Sequence, residues 1–398
     1  MTKKEKPLSG AISVWSNSYG SATGYGVQAQ LLVDRLVRDG AEVAMLSNYG
    51  LEGRIGTINT PHGKVKHFPR GMDLYSNDVA PNDHRLFSAK HPDLRDLFIS
   101  LYDVWVMKSP QYDTLRQIAA WTPIDHVTLP PQVKAFLEKP NVRPIAMAPH
   151  GVRLLKEAGI ECDYVPHAID TKKLKPTEKL KSGIKPRDLM KADDRFIVGM
   201  VAANKSSGMV HRKAFSENLL GFSMFYKKHP DAMLYLHTDP HGRSGGWDLP
   251  SLLKSLSIHE DAVCFPDPND YRFGLEPEDL AAFYTAFDVL LATSYGEGFG
   301  VPTIEAQACG TRVIGSNWAA TPDLVSEDSW LVGGIPSWDS GQNAWWQTPS
   351  PISISQALEE AYYADRGTNK ASVDFAKQFD VETVWRDSWL PTLTKLLA

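Results

Sequence analysis

The chain has 398 residues, of which 42% are hydrophobic and 22% are charged, and its formal net charge is −5 at pH 7. This length is enough for two α/β domains, and the composition is that of a folded globular protein rather than a disordered or fibrous chain. The negative charge excludes a global basic field for nucleic acid or anionic lipid, although it is compatible with a local basic groove.

Neither export nor a membrane span is indicated. Residues 1–10 lack the apolar core of a signal peptide, and no apolar run reaches the roughly 18 residues that a membrane helix needs. Cys162, Cys264 and Cys309 are too few and too far apart for a disulfide framework or a metal site. We therefore expect a cytoplasmic protein with reduced thiols and no bound metal.

The first half begins with a βαβ pattern around a glycine loop. A short apolar strand at Ala11–Trp15 is followed by Gly24, Tyr25 and Gly26, and then by a helix from about Val27 to Arg38. This order is typical of the start of a Rossmann-like domain, with the glycines in the turn after the first strand. A plain turn that needs glycine is the alternative interpretation.

Further short strands are predicted before residue 170. Ile118–Ile124 is apolar and ends beside Asp125 and His126, which taken alone fit a helix-capping aspartate and a surface histidine. The polar segment Asn77–Arg85 contains Pro81 and is predicted to be a loop. The other predicted elements of this half are strands at Gly56–Ile58, Val65–Phe68, Asp103–Met107, Arg143–Met147 and Glu161–Val165, and a helix at His150–Gly159.

A basic segment at residues 171–192, interrupted by proline and glycine, is typical of a solvated linker. We therefore predict an N-terminal domain at residues 1–175, a C-terminal domain at 192–378 and a terminal helix at 379–398. The terminal helix carries a stripe with a spacing of four residues, made of Trp385, Trp389 and Leu393.

The second half opens with a continuous apolar strand, Phe196–Ala203, as expected for a strand covered on both faces. A polar loop follows with Asn204, Arg212 and Lys213, and the two cations taken alone fit a solvated surface. The other predicted elements are helices at Ala214–Lys228, Leu249–Leu256, Pro277–Ala286 and Ile354–Ala364, strands at Ala232–His237, Val263–Phe265 and Trp330–Val332, a turn at Asp267–Asp270, and packing tryptophans at 345 and 346.

The stretch Ser294–Gly315 reads S-Y-G-E-G-F-G-V-P-T-I-E-A-Q-A-C-G-T-R-V-I-G and follows an apolar strand at Ala286–Ala292. Its glycines let the backbone approach a ligand, and Pro302 fits the first turn of a helix whose free N–H groups suit a diphosphate. Glu297 and Glu305 flank this anion site and can accept hydrogen bonds from the hydroxyls of a sugar and a ribose. An ordinary strand–turn–helix with two surface glutamates is the alternative.

The segment E-G-F-G-V-P-T-I-E-A-Q-A-C-G-T resembles the E-x7-E signature of retaining GT-B glycosyltransferases of the glycogen-synthase and sucrose-synthase type. The resemblance implies an α/β fold with two Rossmann-like domains, whose parallel sheets face a deep interdomain cleft, and a final helix that returns to the first domain. It also implies transfer of a hexose-type sugar from a UDP- or GDP-sugar to a hydroxyl, with retention, with the donor phosphate as base and without a metal.

The resemblance assigns roles to individual residues. Glu297 would orient the donor sugar, and Glu305 would hold the ribose. The implied catalytic group also contains Asp125 and His126 near the reacting sugar and Arg212 and Lys213 on the diphosphate. The other implied donor contacts are Gly24, Tyr25, Gly26, Asn204, Pro266, Gly298, Phe299, Gly300 and Val301.

Two other functions are compatible with the sequence. One is a nucleotide-sugar epimerase or a phosphorylase on the same fold. The other is a non-catalytic nucleotide-sugar binder, which is favoured by Asn204 where relatives usually carry arginine and by the inverted order of Asp125 and His126. The acceptor is not specified: charge does not indicate nucleic acid, but a modified base, a protein, a polysaccharide and a small metabolite are all compatible.

Overall fold

The computed structural model describes residues 7–206 and 210–398, and they divide into two compact units. Unit 1 contains the described part of Met1–Ile124, together with Thr128–Ala168 and Val381–Ala398; unit 2 contains Asp125–Val127 and Ile169–Asp380. These limits differ from the predicted boundaries chiefly at 125–127, because Val127 N donates to Trp345 O at 3.0 Å within unit 2. Residues 207–209, in the predicted loop before Arg212, lie outside the described residues.

The strands have these bounds: β1 Ala11–Ser16, β2 Glu42–Ser47, β3 Gly56–Thr60, β4 Gly63–Phe68, β5 Asp96–Leu101, β6 Ile118–Thr122, β7 Val142–Ala146, β8 Asp163–Tyr164, β9 Phe196–Val201, β10 Ala232–His237, β11 Val263–Cys264, β12 Val289–Ala292, β13 Val313–Ser316, β14 Trp330–Val332, β15 Gly334–Asp339 and β16 Ala344–Pro349.

The α-helices have these bounds: α1 Gly24–Arg38, α2 Ala80–Ser88, α3 Pro131–Leu137, α4 Pro149–Glu157, α5 Pro186–Met190, α6 Phe215–Tyr226, α7 Leu249–Ser255, α8 Pro268–Phe273, α9 Pro277–Ala286, α10 Val301–Ala308, α11 Pro351–Tyr363, α12 Lys370–Ala376, α13 Val381–Val384 and α14 Leu390–Leu397. Every α-helix of the described residues is too short or too polar to cross a lipid bilayer.

Unit 1 is built on a sheet with strand order β3–β4–β2–β1–β5–β6–β7–β8. Its neighbouring strands are parallel except for the hairpin of β3 and β4. Trp15 of β1 is fully buried and contacts the rings of Phe98, Tyr102 and Tyr112 at centroid distances of 6.0, 4.8 and 5.8 Å. These aromatic contacts anchor the central strands of the sheet in the core of unit 1.

The last segment of the chain packs in unit 1, as the resemblance implied. Trp385 donates from its indole nitrogen to Asp39 at 2.7 Å, and Trp389 contacts the ring of Trp121 at 4.8 Å. Leu393 is fully buried. A π-helical turn at Trp385–Trp389 separates α13 from α14, and Pro391, which cannot donate a backbone hydrogen bond, lies in the first turn of α14.

Unit 2 is built on a parallel sheet with strand order β11–β10–β9–β12–β13–β14. The strand β9 lies near its centre and is almost wholly buried, as predicted. A Cβ atom at Gly199 in this strand would lie 2.2 Å from the ring of Phe287, so only glycine lets that ring pack there. The hairpin of β15 and β16 forms a separate antiparallel pair, so two strands follow β14 along the chain.

Three local predictions were wrong. Asp103–Met107 is not a strand: the strand is β5, and Val104–Val106 forms a single 3-10 turn whose valines are buried by the turn itself. Asn77–Arg85 is largely helical, because Pro81 occupies the first turn of α2, where no N–H is needed. The predicted turn at Asp267–Asp270 begins α8, with the Asp267 side chain as its N-cap.

Candidate active site

The signature stretch folds as strand, glycine loop and helix in unit 2. The loop joins β12 to α10 and leaves the carboxyl edge of a parallel sheet, where such folds bind ligands. Gly300 has a φ of +87°, a left-handed conformation that glycine adopts without strain, and it places Pro302 in the first turn of α10. Pro302 has no N–H and Thr303 N donates to the carbonyl oxygen of Gly300 at 3.0 Å, so the positive end of this helix, rather than a row of free N–H groups, would attract an anion.

Glu297 lies in this loop between two cations. Its Oε1 is 2.5 Å from Lys213 Nζ, and its Oε2 is 3.1 Å from Arg212 Nη1; Arg212 also donates to the carbonyl oxygen of Gly296 at 2.6 Å. The Glu297 side chain is 13% exposed. Burial alone would raise its pKa, but the charges of Lys213 and Arg212 lower the pKa of Glu297 to about 2. Glu297 is therefore a carboxylate at every physiological pH.

Opposing effects act on the pKa of Lys213. Burial and the nearby charge of Arg212 lower the pKa of Lys213, while the Glu297 carboxylate raises it. We favour the charged pair, because a 2.5 Å contact with a carboxylate stabilises the ammonium form.

The cluster continues from Arg212 to a buried histidine. Arg212 Nη1 lies 3.9 Å from Asp125 Oδ2, and Asp125 Oδ1 lies 2.8 Å from His126 Nδ1. The other ring nitrogen, Nε2, is 3.1 Å from Asp339 Oδ2. Burial lowers the pKa of His126, but Asp125 and Asp339 together raise it above its ordinary value. His126 and Arg212 in turn hold the pKa of Asp125 below its usual range, against the effect of burial.

The second signature glutamate has a different environment. Glu305 in α10 accepts a hydrogen bond from the Tyr284 hydroxyl at 2.8 Å. Burial raises the pKa of Glu305 to about 7, although the hydrogen bond from Tyr284 opposes the shift. The two glutamates therefore carry different charges near neutral pH: Glu297 is ionised, while Glu305 is close to half protonated.

Asn204 does not have a free side chain for a diphosphate. Its amide nitrogen donates to the backbone oxygens of Asp239 and Trp247 at 2.8 and 2.7 Å. Its amide oxygen accepts from Trp247 N and lies 2.9 Å from His211 Nε2. Asn204 is 1% exposed and its side chain fixes the loop that follows β10, while the donor contact predicted for this residue stays a prediction.

The remaining predicted residues fall into two groups. Gly24, Tyr25 and Gly26 lie in unit 1, in the first turn of α1, and a Cβ at Gly26 would lie 2.0 Å from Ser21 Oγ. The others lie in unit 2: Pro266, Gly298, Phe299, Gly300 and Val301. The Phe299 ring is buried against Phe379 and is not exposed to a donor. The donor contacts of both groups stay predictions.

Sequence reasoning missed three residues that complete these environments. Asp339 and Trp346 lie on the hairpin of β15 and β16, and the Trp346 ring stacks on His126 at a centroid distance of 4.9 Å and an angle of 14°. Tyr284 ends α9 as a fully buried phenol. Tyr284 carried a usable signal, since a buried tyrosine needs a hydrogen-bond partner, whereas nothing in S-W-D-S-G marks Asp339 as a partner of a distant histidine.

Substitution of Gly296 by alanine is expected to destabilise unit 2 by about 1–3 kcal/mol. The added Cβ would lie 2.0 Å from the carbonyl oxygen of Asp125 and 3.1 Å from the Trp346 ring, so the backbone has to move. Thermal unfolding should show a lower melting temperature. Gly333→Ala is the control, because no atom lies within 4 Å of its Cβ position. Equal melting of the two variants would contradict this packing.

The family model described as Glycosyl transferases group 1 matches residues 250–338, which include Glu297 and Glu305 but not Arg212 or Lys213. Among curated proteins, the D-inositol 3-phosphate glycosyltransferase of Mycolicibacterium vanbaalenii is 29% identical over 182 residues, 42% of this chain and 34% of that protein. The serotype-specific mannosyltransferase WbdA of Escherichia coli is 28% identical over 155 residues, 38% of this chain and 16% of that protein. The matched part thus spans about a third or less of these relatives' own length.

Solved structures match over nearly the whole chain. Sucrose-phosphate synthase from Thermosynechococcus elongatus has a TM-score of 0.67 at 20% identity, with 98% of this chain and 99% of that chain covered. Anabaena Alr3699/HepE, solved in complex with UDP and glucose, has a TM-score of 0.64 at 15% identity, with 98% and 100% covered. At these identities the likeness shows the fold. The chain has the α/β GT-B fold of two Rossmann-like halves, and its residues 250–338 match the family Glycosyl transferases group 1.

Proposed function

We propose that the protein is a glycosyltransferase that moves a hexose-type sugar from a UDP- or GDP-sugar to an acceptor hydroxyl, with retention of anomeric configuration. The observation that carries this proposal is the cluster of Glu297, Lys213 and Arg212 beside the start of α10. It combines fixed cations and the positive end of a helix for a diphosphate with a carboxylate for sugar hydroxyls.

The diphosphate would interact with Lys213, Arg212 and the first turn of α10. The two cations and Glu297 together carry a net charge of +1, so an incoming diphosphate meets a positive site whose side chains are already fixed. Fixed positive charge stabilises the leaving nucleoside diphosphate most strongly as the glycosidic bond breaks, because negative charge then builds up on the phosphate. Binding and leaving-group stabilisation would thus use the same two residues.

The two sugars of the donor would be held by the two glutamates. Glu297 would accept hydrogen bonds from the transferred sugar, and Glu305 would accept them from the ribose. The acceptor oxygen would form its bond to C1 as the bond from C1 to the phosphate breaks, and the acceptor proton would pass to the leaving phosphate on the same face. The protein would then contribute orientation and charge stabilisation, with no covalent nucleophile and no metal.

The base of the donor stays open between uracil and guanine. The Anabaena neighbour was solved with UDP, which favours a uridine donor for a chain of the same fold. The acceptor and the cytoplasmic location stay predictions.

A panel of nucleoside diphosphates and their sugars tests this function. We expect UDP or GDP and one matching sugar donor to raise the melting temperature, and slow donor hydrolysis or transfer that persists in excess EDTA. Activity lost to EDTA and restored by a divalent cation would contradict the metal-free mechanism. A donor converted into a different sugar would indicate an epimerase, and binding without turnover on any acceptor would indicate a non-catalytic binder.

A further inference from the structure

The hairpin of β15 and β16 follows β14 along the chain and forms a two-stranded sheet of its own in unit 2. Its strands pair antiparallel, with Trp338 opposite Trp345 and Asp339 opposite Ala344. Alternation along the strands places Asp339, Ala344 and Trp346 on one face. On this face Ala344 is fully buried, while Trp338 and Trp345 on the other face are 50% and 39% exposed. The hairpin thus has an inward and an outward face.

The inward face holds the imidazole ring of His126 from two directions. Asp339 Oδ2 lies 3.1 Å from the Nε2 atom at the edge of the ring. Trp346 stacks on the face of the ring at a centroid distance of 4.9 Å and an interplanar angle of 14°. His126 is 3% exposed. A stacked indole and an edge-on carboxylate fix both the tilt and the rotation of the imidazole, because one restrains the ring normal and the other the ring edge.

The backbone of β16 also connects this histidine to the donor loop. Gln347 N donates to the carbonyl oxygen of Tyr295 at 2.9 Å, and Val127 N donates to the carbonyl oxygen of Trp345 at 3.0 Å. The edge of β16 that does not pair with β15 therefore bonds both to the loop that carries Glu297 and to the segment that carries His126. A shift of the hairpin would move both.

The charges around His126 alternate in sign. The ion pairs run in one series from the hairpin to the donor loop: Asp339, His126, Asp125, Arg212, Glu297 and Lys213. With a protonated histidine the series has three cations and three anions, so its formal charge is zero. A neutral histidine would leave Asp339 and Asp125 without a cation between them, at the buried end of the series.

We propose that the hairpin of β15 and β16 is a positioning element of the active site, in which Asp339 and Trp346 orient His126 and hold it in the imidazolium form. The inference deepens the proposed function and rests on it for the catalytic consequence. The imidazolium supplies a fixed positive charge at the end of the series beside Asp125. Asp339 acts through His126 and is a positioning residue, not a catalytic one.

The pH dependence has a defined sign. His126 is cationic below its folded-state pKa, which lies above the ordinary value of about 6.5, so its contribution is fully present below that ordinary value and is lost as pH rises through the folded-state value. The charged groups that face the ring are Asp125 and Asp339, with Arg212 and Glu297 behind Asp125. Asp339→Asn removes one acid, so the loss should move to lower pH by about one unit.

The test is an NMR titration of the histidine ring in selectively labelled full-length protein, with His126→Gln to assign the signal. We expect His126 to titrate above 6.5 in the wild type, about one unit lower in Asp339→Asn, and near the wild-type value in Asp339→Glu. Asp261→Asn is the matched control, because Asp261 forms an exposed pair with His259 at 3.3 Å. Unchanged titration in Asp339→Asn would overturn the proposal.

The same variants are then assayed for donor turnover across pH. The high-pH loss of kcat should follow the shifted titration in Asp339→Asn, while KM for the donor changes little. If the wild type turns over no sugar nucleotide, the proposed function is wrong, but the titration still decides whether Asp339 holds His126 in the imidazolium form. If Asp339→Asn does not fold, the wild type decides: a His126 that titrates at or below 6.5 overturns the proposal, and one above it supports the proposal.

Discussion

Replacement of Glu297 by glutamine is expected to lower kcat for donor turnover by about 10²–10³-fold, the range seen when one fixed electrostatic group is removed from a reacting centre. The amide keeps the size of the side chain but loses the charge that positions Lys213 and Arg212. Affinity for free UDP or GDP should stay equal or increase, because two cations are left without their acid. We thus expect the variant to lose turnover while it keeps its affinity for the free diphosphate.

Single-turnover kinetics and calorimetric binding of the diphosphate measure the two effects separately. Glu359→Gln is the matched control: Glu359 also lies between two basic side chains, Lys228 at 3.0 Å and His229 at 3.1 Å, in a part of unit 2 with no proposed role. Its kcat should stay within a factor of two of the wild type. A Glu297→Gln variant that turns over donor at the wild-type rate would remove Glu297 from the mechanism.

Replacement of Glu305 by glutamine is expected to stabilise the protein above neutral pH and to weaken nucleotide binding. The folded-state pKa of Glu305, about 7, lies above the ordinary value near 4.3. The native state therefore binds an additional proton between these values, and stability falls as pH rises through that window. Glutamine cannot ionise, so at pH 8 it should remove a penalty of about 1–3 kcal/mol.

Melting curves at pH 5 and pH 8 test the sign of this effect. The advantage of Glu305→Gln should be present at pH 8 and small at pH 5, while affinity for UDP or GDP falls about tenfold or more through loss of a charged acceptor for the ribose. The exposed Glu260 provides the control, since Glu260→Gln should melt like the wild type at both pH values. A destabilised Glu305→Gln at pH 8 would contradict the burial argument.

The features predicted from the sequence are those encoded by contiguous residues. Strand β9 is an unbroken apolar run, and the glycines and Pro302 between β12 and α10 specify a loop and a helix start. Hydrophobic periodicity and turn residues are patterns of a few neighbouring residues, so one short segment is enough to predict such an element. The parallel sheets, the signature loop and the C-terminal packing stripe were therefore predictable.

The features that were missed depend on contacts between distant segments. His126 and Asp339 are 213 residues apart, and no local pattern relates them. The strand β15 contains Gly334 and Pro336 and follows Gly333, and these residues weaken any strand pattern although a two-stranded hairpin tolerates them. Asn204 resembled a donor ligand because it follows a central strand, but its amide is used by the backbone near Trp247.

The placement of Val381–Ala398 in unit 1 bears on how the chain matures during synthesis. Residues such as Trp121 and Asp39 are made early, yet their partners Trp389 and Trp385 are translated only after all of unit 2. Nascent domains usually fold in the order in which they emerge from the ribosome. Here the core of unit 1 is complete only after the last segment has been made, so unit 2 is free to fold first.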